Sequence, residues 1–293
     1  MERYEKSVSK KGKTYDVVLV TFEDVMIVAT DNNHSSTNYV NPPIPGGYSY
    51  VCGEWYNGFV IKRYSDGSQF VWIPVGSLDS NGTLDGKNFS EKFGRRNYLG
   101  EDFYDSQEVL EGELLNQWNS VQKYGGFYIS RYAISKNEQT GDAQSVKGKM
   151  PWTKIDWFDA MNAAGTFGDG ISVTSHLLFG AEFDSVLEWF IKSDKRTREE
   201  IVKDSSSWGN YDTGNILQEV VKTGTRKKWS TNHISDFAGN ICEWTQEGCE
   251  YWYSPCTQRI VRGGSDFPVA ARIARKPSER SNYTGFRAAL CFK

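Results

Sequence analysis

Three short blocks near the C-terminus constrain this chain more than anything else in it. They are Asp236-Phe-Ala-Gly-Asn-Ile-Cys-Glu-Trp244, then Arg262-Gly-Gly-Ser265, then Gly285-Phe286-Arg287. Glycine lets a backbone pass close to a neighbour at small steric cost, which is how Arg262-Gly-Gly reads here. An arginine set among glycine and aromatic residues reads as buried or half-buried and then needs a carboxylate. For Arg287 the candidate partners are Glu243 and Asp236. These readings concern the fold and say nothing of activity.

The 293 residues suit one large irregular domain plus an extension. A net charge of −3 argues against a nucleic-acid footprint as the main business. Aromatic residues at 14% and 28 glycines, without long periodic stretches, suggest a loop-rich mixed fold. The charged N-terminus has no apolar core of a signal peptide, and the longest apolar run, 17–20, is too short for a bilayer. The expectation is a chain made in the cytoplasm, with no membrane partner. The five cysteines (Cys52, Cys242, Cys249, Cys256, Cys291) read most simply as free thiols.

Residues 14–29 are β-branched and read as one or two strands. A polar stretch at 31–38 followed by Pro42-Pro43 and Pro45-Gly-Gly47 reads as a linker, which places a boundary near residue 45. The expected division is an N-terminal β-rich extension, 1–45, and a main domain, 46–293. Within it, 58–75 is a hairpin around Ser65-Asp66-Gly67, and 125–132 is another strand. A long loop is expected over 77–106 and a short helix around Leu114, Leu115 and Trp118. Asp156 is positioned to cap a helix that ends at Gly165. A second runs from Gly180 to Lys192, where Phe183, Val186, Leu187 and Phe190 define one buried face. Residues 193–230 read as an exposed polar insertion.

The order D-x-x-G-N-x-x-E-W, R-G-G-S, G-F-R resembles the formylglycine-generating-enzyme (sulfatase-modifying factor) family. The strand Phe70-Val-Trp-Ile-Pro-Val75 fits it too. The resemblance covers about 55–75 and 125–293 and implies an α+β, C-type-lectin-like fold with two helices and short antiparallel sheets. In enzymes of that family the matching turn binds calcium. Carried over, the ligands would be the Asp236 side chain, the Gly239 and Ile241 carbonyls and the Glu243 carboxylate, an oxygen set that suits a hard cation. The alternative is that Asp236 and Glu243 only hydrogen-bond the turn and pair with an arginine.

Enzymes that make formylglycine hold copper through two cysteines just after Gly-Gly-Ser. Here those positions are Pro268 and Ile273, which cannot bind a soft ion. The iron-dependent relatives need a histidine cluster, whereas His34, His176 and His233 stand far apart. His176 reads as a core or turn residue rather than a base. What lies between Ser265 and Gly285 is basic, aperiodic and chemically mixed, as suits a recognition surface on a rigid scaffold. Its candidate ligand-binding residues are Asp266, Phe267, Ile273, Lys276, Glu279, Ser281 and Tyr283. Its position matches the variable region of proteins diversified by retroelements, phage receptor-binding tips included. Such variation cannot produce Lys, Glu, Gln, Met or Trp, and only Lys276 and Glu279 depart from that here. An ordinary loop of the family fits the same residues. The implied function is a non-catalytic protein binding a protein or glycan ligand on a cell or particle surface. The alternative is a metal-dependent oxidoreductase with a non-standard site.

Overall fold

A computed structural model describes residues 42–55, 57–75, 93–100, 114–211, 219–248 and 258–293 in full, and backbone elements elsewhere. In chain order the strands begin with β1 (Glu2–Lys10), β2 (Lys13–Thr21), β3 (Met26–Thr30), β4 (Tyr48–Cys52), β5 (Val60–Arg63), β6 (Gln69–Pro74) and β7 (Asp105–Ser106). Helix α1 (Glu111–Tyr124) precedes β8 (Gly126–Ser130), β9 (Ser135–Lys136) and β10 (Ala143–Gln144). Then come α2 (Trp157–Ala164), β11 (Val173–Leu177), α3 (Gly180–Lys192), α4 (Arg198–Val202), β12 (Ser230–Thr231) and β13 (Ile234–Ser235). The chain closes with β14 (Cys242–Cys249), β15 (Gln258–Gly263), β16 (Ile273–Arg275), β17 (Thr284–Phe286) and β18 (Ala288–Phe292).

The β-branched N-terminal stretch is two strands, β2 and β3, and the charged residues before it form a third, β1, in one antiparallel sheet. Of the linker expected over 31–47, the part up to 41 lies outside the described residues, and the rest is corrected, since Pro42 to Pro45 are buried. Ile44, at the expected boundary, is buried in the main domain.

A six-stranded antiparallel sheet, in the order β11-β18-β8-β6-β5-β4, is the backbone of that domain. Side chains alternate across a strand, and here both faces are covered. Val71 and Ile73 of β6 with Phe127 and Ile129 of β8 enter one core, where α3 packs. Phe70, Trp72 and Tyr128 enter the other, with Trp157, Ala160 and Ala164 of α2. The expected hairpin is β5–β6. Its turn is fixed by Gly67 at φ 76 and by Asp66, which accepts from Arg63 and Ser68.

Helix α2 starts and stops as read, with the Asp156 carboxylate accepting from the Asp159 N–H. Helix α3 also has the expected bounds, but the single buried face is corrected. Glu182, Asp184 and Ser185 are buried along with the apolar residues. A helix can be buried on its acidic side only where those acids find partners, and they do. The short helix expected around Leu114, Leu115 and Trp118 is α1, and among the described residues the added helix is α4. Part of the expected loop, Phe93 and Tyr98, is core. The 193–230 segment is not simply an exposed insertion either. Thr197 caps α4 through a reciprocal pair with Glu200, and Ile201 and Trp208 are buried against Phe190.

The second sheet carries the motifs. β14 pairs antiparallel with β15, so that Cys242 lies beside Gly263. On its other side β14 pairs parallel with β17, with Cys242 beside Thr284 and Trp244 beside Phe286. The three blocks of the sequence are therefore three adjacent strands.

Candidate functional site

Arg287 is fully buried, and its Nε donates to both Glu243 oxygens, at 2.8 and 3.0 Å. Its terminal nitrogens donate to the carbonyls of Ser130, Arg131 and Ser235. Of the two expected partners, Glu243 is the one it binds. Burial pushes the Glu243 carboxyl up to about 7, against the pull of Arg287. Asp236 has another task. Its Oδ2 accepts from Thr223 Oγ1 and the Gly224 N–H, both at 2.7 Å, and burial raises its carboxyl as well.

The oxygens that the resemblance implies for calcium are thus largely in use. Glu243 is neutralised by Arg287, and the Gly239 and Ile241 carbonyls accept from the N–H groups of Ile241 and Gly264. Asp236 Oδ1 is buried without a partner, yet no group of three acids, histidines or cysteines suited to a cation forms among the described residues. This set does not fit calcium. We expect millimolar calcium or chelator to leave the melting temperature unchanged, whereas a rise with calcium concentration would show a folded-state site.

Arg262 is likewise buried. It donates to Asp184 Oδ1 at 2.7 Å, approaches Glu247 Oε2 at 3.6 Å and lies over the Phe183 ring. Arg272 donates to the same two acids, at 2.6 Å to Glu247 and 2.5 Å to Asp184. Burial raises the Glu247 carboxyl, and both arginines pull it back down. Gly264 takes φ 87, and a Cβ there would stand 2.4 Å from the Phe267 ring.

These anchors shape the segment that follows. Asp266, Lys276 and Tyr283 are exposed, and Phe267, Ile273, Glu279 and Ser281 are half-buried. The expectation that all seven stand in solvent is corrected for Phe267 and Ile273, which pack on the second core. Val269 to Arg272 are buried between them. Beyond, 275–283 lies against 154–159. The Lys154 N–H donates to the Ser281 carbonyl and the Trp157 N–H to that of Pro277. Arg280 donates to Asp156 at 2.6 Å and Asp159 at 2.5 Å.

That contact brings in Phe158, which the sequence did not single out and which is exposed at 55%; Tyr283, which it did, is exposed at 37%. Lys154 sits between the segments at φ 57, a conformation that side chains rarely take. A usable signal existed for Phe158, a large apolar residue on the outer face of α2 beside buried Trp157.

The remaining readings fall elsewhere. His176 is buried, with Nε2 3.0 Å from Glu182 Oε1, and so is a core residue. Cys52 and Cys242 are free thiols, and burial pushes the Cys242 thiol up to about 12. The Cys249 and Cys256 side chains, like His34, lie outside the described residues.

Residues 60–291 match the family model described as a sulfatase-modifying factor enzyme 1-like domain. Among solved structures the chain is similar to CarF, at 12% identity and TM-score 0.44, over 57% of this chain and 87% of that one. It is similar to variable protein 1 of Treponema denticola at 15% identity and TM-score 0.37, over 57% and 85% of the two chains. For PvdO of Pseudomonas aeruginosa the values are 16%, 0.39, 79% and 97%. A comparison with curated proteins gives no match. With its three motifs on adjacent strands and most of its length matched, the chain belongs to the sulfatase-modifying factor family and has its C-type-lectin-like fold.

Proposed function

We propose that this protein is a non-catalytic binding protein that recognises a macromolecular ligand, a protein in the first instance, on a cell or particle surface. The observation that carries the reading is the face where 275–283 meets 154–159. It carries the exposed Phe158 and Tyr283 and the half-exposed Arg280. Aromatic residues, Met and Arg are the types enriched at protein interfaces and at their energetic centres. Buried ion pairs fix the frame beneath, so side chains on this face can change without disturbing the core. Such an arrangement suits a segment whose sequence is varied genetically. A near-copy of the 3′ end beside a reverse transcriptase in the neighbouring DNA would support that finer reading. Pro268 and Ile273, where copper-binding enzymes of the family need thiolates, speak against formylglycine formation.

Two measurements test this. Incubated with copper and a sulfatase-type cysteine peptide, the protein should yield no aldehyde by mass spectrometry, and turnover above a metal-free control would overturn the reading. In the second, wild type and a Phe158→Ala/Lys276→Ala/Tyr283→Ala variant are applied to one array of surface proteins. The variant should lose the wild-type signals while melting within a few degrees of it, since exposed substitutions typically cost less than about 0.5 kcal/mol each. Signals that survive all three substitutions would place recognition elsewhere.

A further inference from the structure

Six cations gather on two segments that the C-terminal recognition face does not use. Lys147 and Lys149 flank Gly148, and Lys222, Arg226, Lys227 and Lys228 follow one another nearby. All six are exposed. The two segments are joined by backbone hydrogen bonds. The Gly148 N–H donates to the Thr223 carbonyl at 2.8 Å, and the Thr223 N–H to that of Lys149 at 2.9 Å. Gly224 packs so closely that a Cβ there would stand 3.2 Å from Lys147 Cγ. The six charges therefore share one patch, on a chain whose net charge is −3.

The patch is held in place from below. Asp236 accepts from Thr223 and Gly224 at one end of the 223–229 turn. At the other end its own N–H donates to the Trp229 carbonyl at 2.8 Å. The acid that opens the D-x-x-G-N motif thus fixes the basic turn at both ends.

Among the described residues the charges are also left uncompensated. Several exposed cations elsewhere are paired, as Lys192 with Glu188, Arg196 with Glu200, Arg275 with Glu279 and Arg280 with Asp156 and Asp159. Among the described residues, none of the six has an ion-pair partner. Like charges kept together raise the energy of the folded state, and a bound polyanion relieves that repulsion.

We propose that this patch binds an anionic polysaccharide, a flexible sugar chain bearing sulfate or phosphate groups. Five of the six cations are lysines, compact point charges that meet single anionic groups without the planar fork by which arginine reads fixed phosphate geometry. The rings beside the two turns are Tyr132, which is buried, and Trp229, which is half-buried with Arg226 at 5.8 Å and Lys228 at 6.0 Å from its centre, so neither offers the exposed platform on which bases stack.

The test uses the full chain and a size-defined heparin oligosaccharide, with duplex DNA and phosphatidylserine vesicles as competitors of other classes. Wild type should bind heparin at 50 mM salt and lose about tenfold or more by 200 mM, as counterion release requires. Lys147→Gln/Lys149→Gln/Lys227→Gln/Lys228→Gln should weaken binding about tenfold or more and flatten the salt dependence. A Lys62→Gln/Lys192→Gln/Lys195→Gln/Lys203→Gln variant, with the same change in net charge, should bind as wild type. Unchanged melting and array signals in the first variant would separate this patch from the recognition face. Absence of heparin binding at 50 mM salt would overturn the proposal. So would equal losses in both variants, or equal or tighter binding to DNA or to vesicles.

Discussion

Arg262→Met lowers stability by about 3–5 kcal/mol, the usual result of removing one member of a buried charge network. Arg262 and Arg272 together hold Asp184 and Glu247, and both acids are fully buried. Methionine fills much of the space but leaves the two carboxylates to Arg272 and to Arg95, which stands 3.6 Å from Glu247. In a domain of this size each kcal/mol moves the melting temperature by roughly 2–4 °C, so a fall of about 10 °C is expected. The control is Arg275→Ala, which breaks an exposed pair with Glu279 and should cost no more than about 1 kcal/mol. Differential scanning fluorimetry of both variants decides it. An Arg262→Met protein melting within two or so degrees of wild type would mean that the network is not what holds α3 to β15.

Arg287→Met should cost as much at neutral pH, about 3–5 kcal/mol, since it strands Glu243 and frees three carbonyls. The deficit should depend on pH in a particular direction. Glu243 titrates near 7 in the folded protein, above the ordinary carboxylate value near 4.5. A raised folded value means that its contribution to stability is present below about 4.5 and lost as pH rises through 7. Without Arg287 the carboxyl rises further and takes up a proton more readily. Arg287→Met should therefore be less harmful at pH 5.5 than at pH 8, by urea denaturation. Arg287→Met/Glu243→Gln should be milder than the sum of the single changes, because the second removes the stranded charge. A deficit that grows on acidification would show that Glu243 is not its main partner.

Much of the scaffold could be read from one dimension because its signals are local. Asp66-Gly67 specifies a turn, Asp156 a cap, and the spacing of Phe183, Val186, Leu187 and Phe190 a face. The buried side of α3 could not be read so. Glu182 and Asp184 look like solvent positions until Gln117, Arg262 and Arg272, scattered over more than 150 residues, are brought to them. The same limit hid Ile201 and Trp208, whose partner Phe190 lies on another helix. On the candidate face, Tyr283 and Lys276 could be picked out from an aperiodic stretch. Phe158 joins them only through long-range bonds such as Arg280 to Asp159 on its helix.

Cys242 has Gly263 on one side and Thr284 on the other, so the chain departs and returns across the width of a single strand. Two interstrand spacings put those points about 10 Å apart whatever lies between them. Arg272 pins the middle of the excursion, which divides it into two short spans with separate footings. Lengthening the second span, 276–283, adds roughly 0.6 kcal/mol of ring closure per doubling, besides the loss of whichever bonds to 154–159 it displaces. The domain is in effect a socket of fixed gauge, into which peptides of quite different length can be spliced without resetting the strands that hold them.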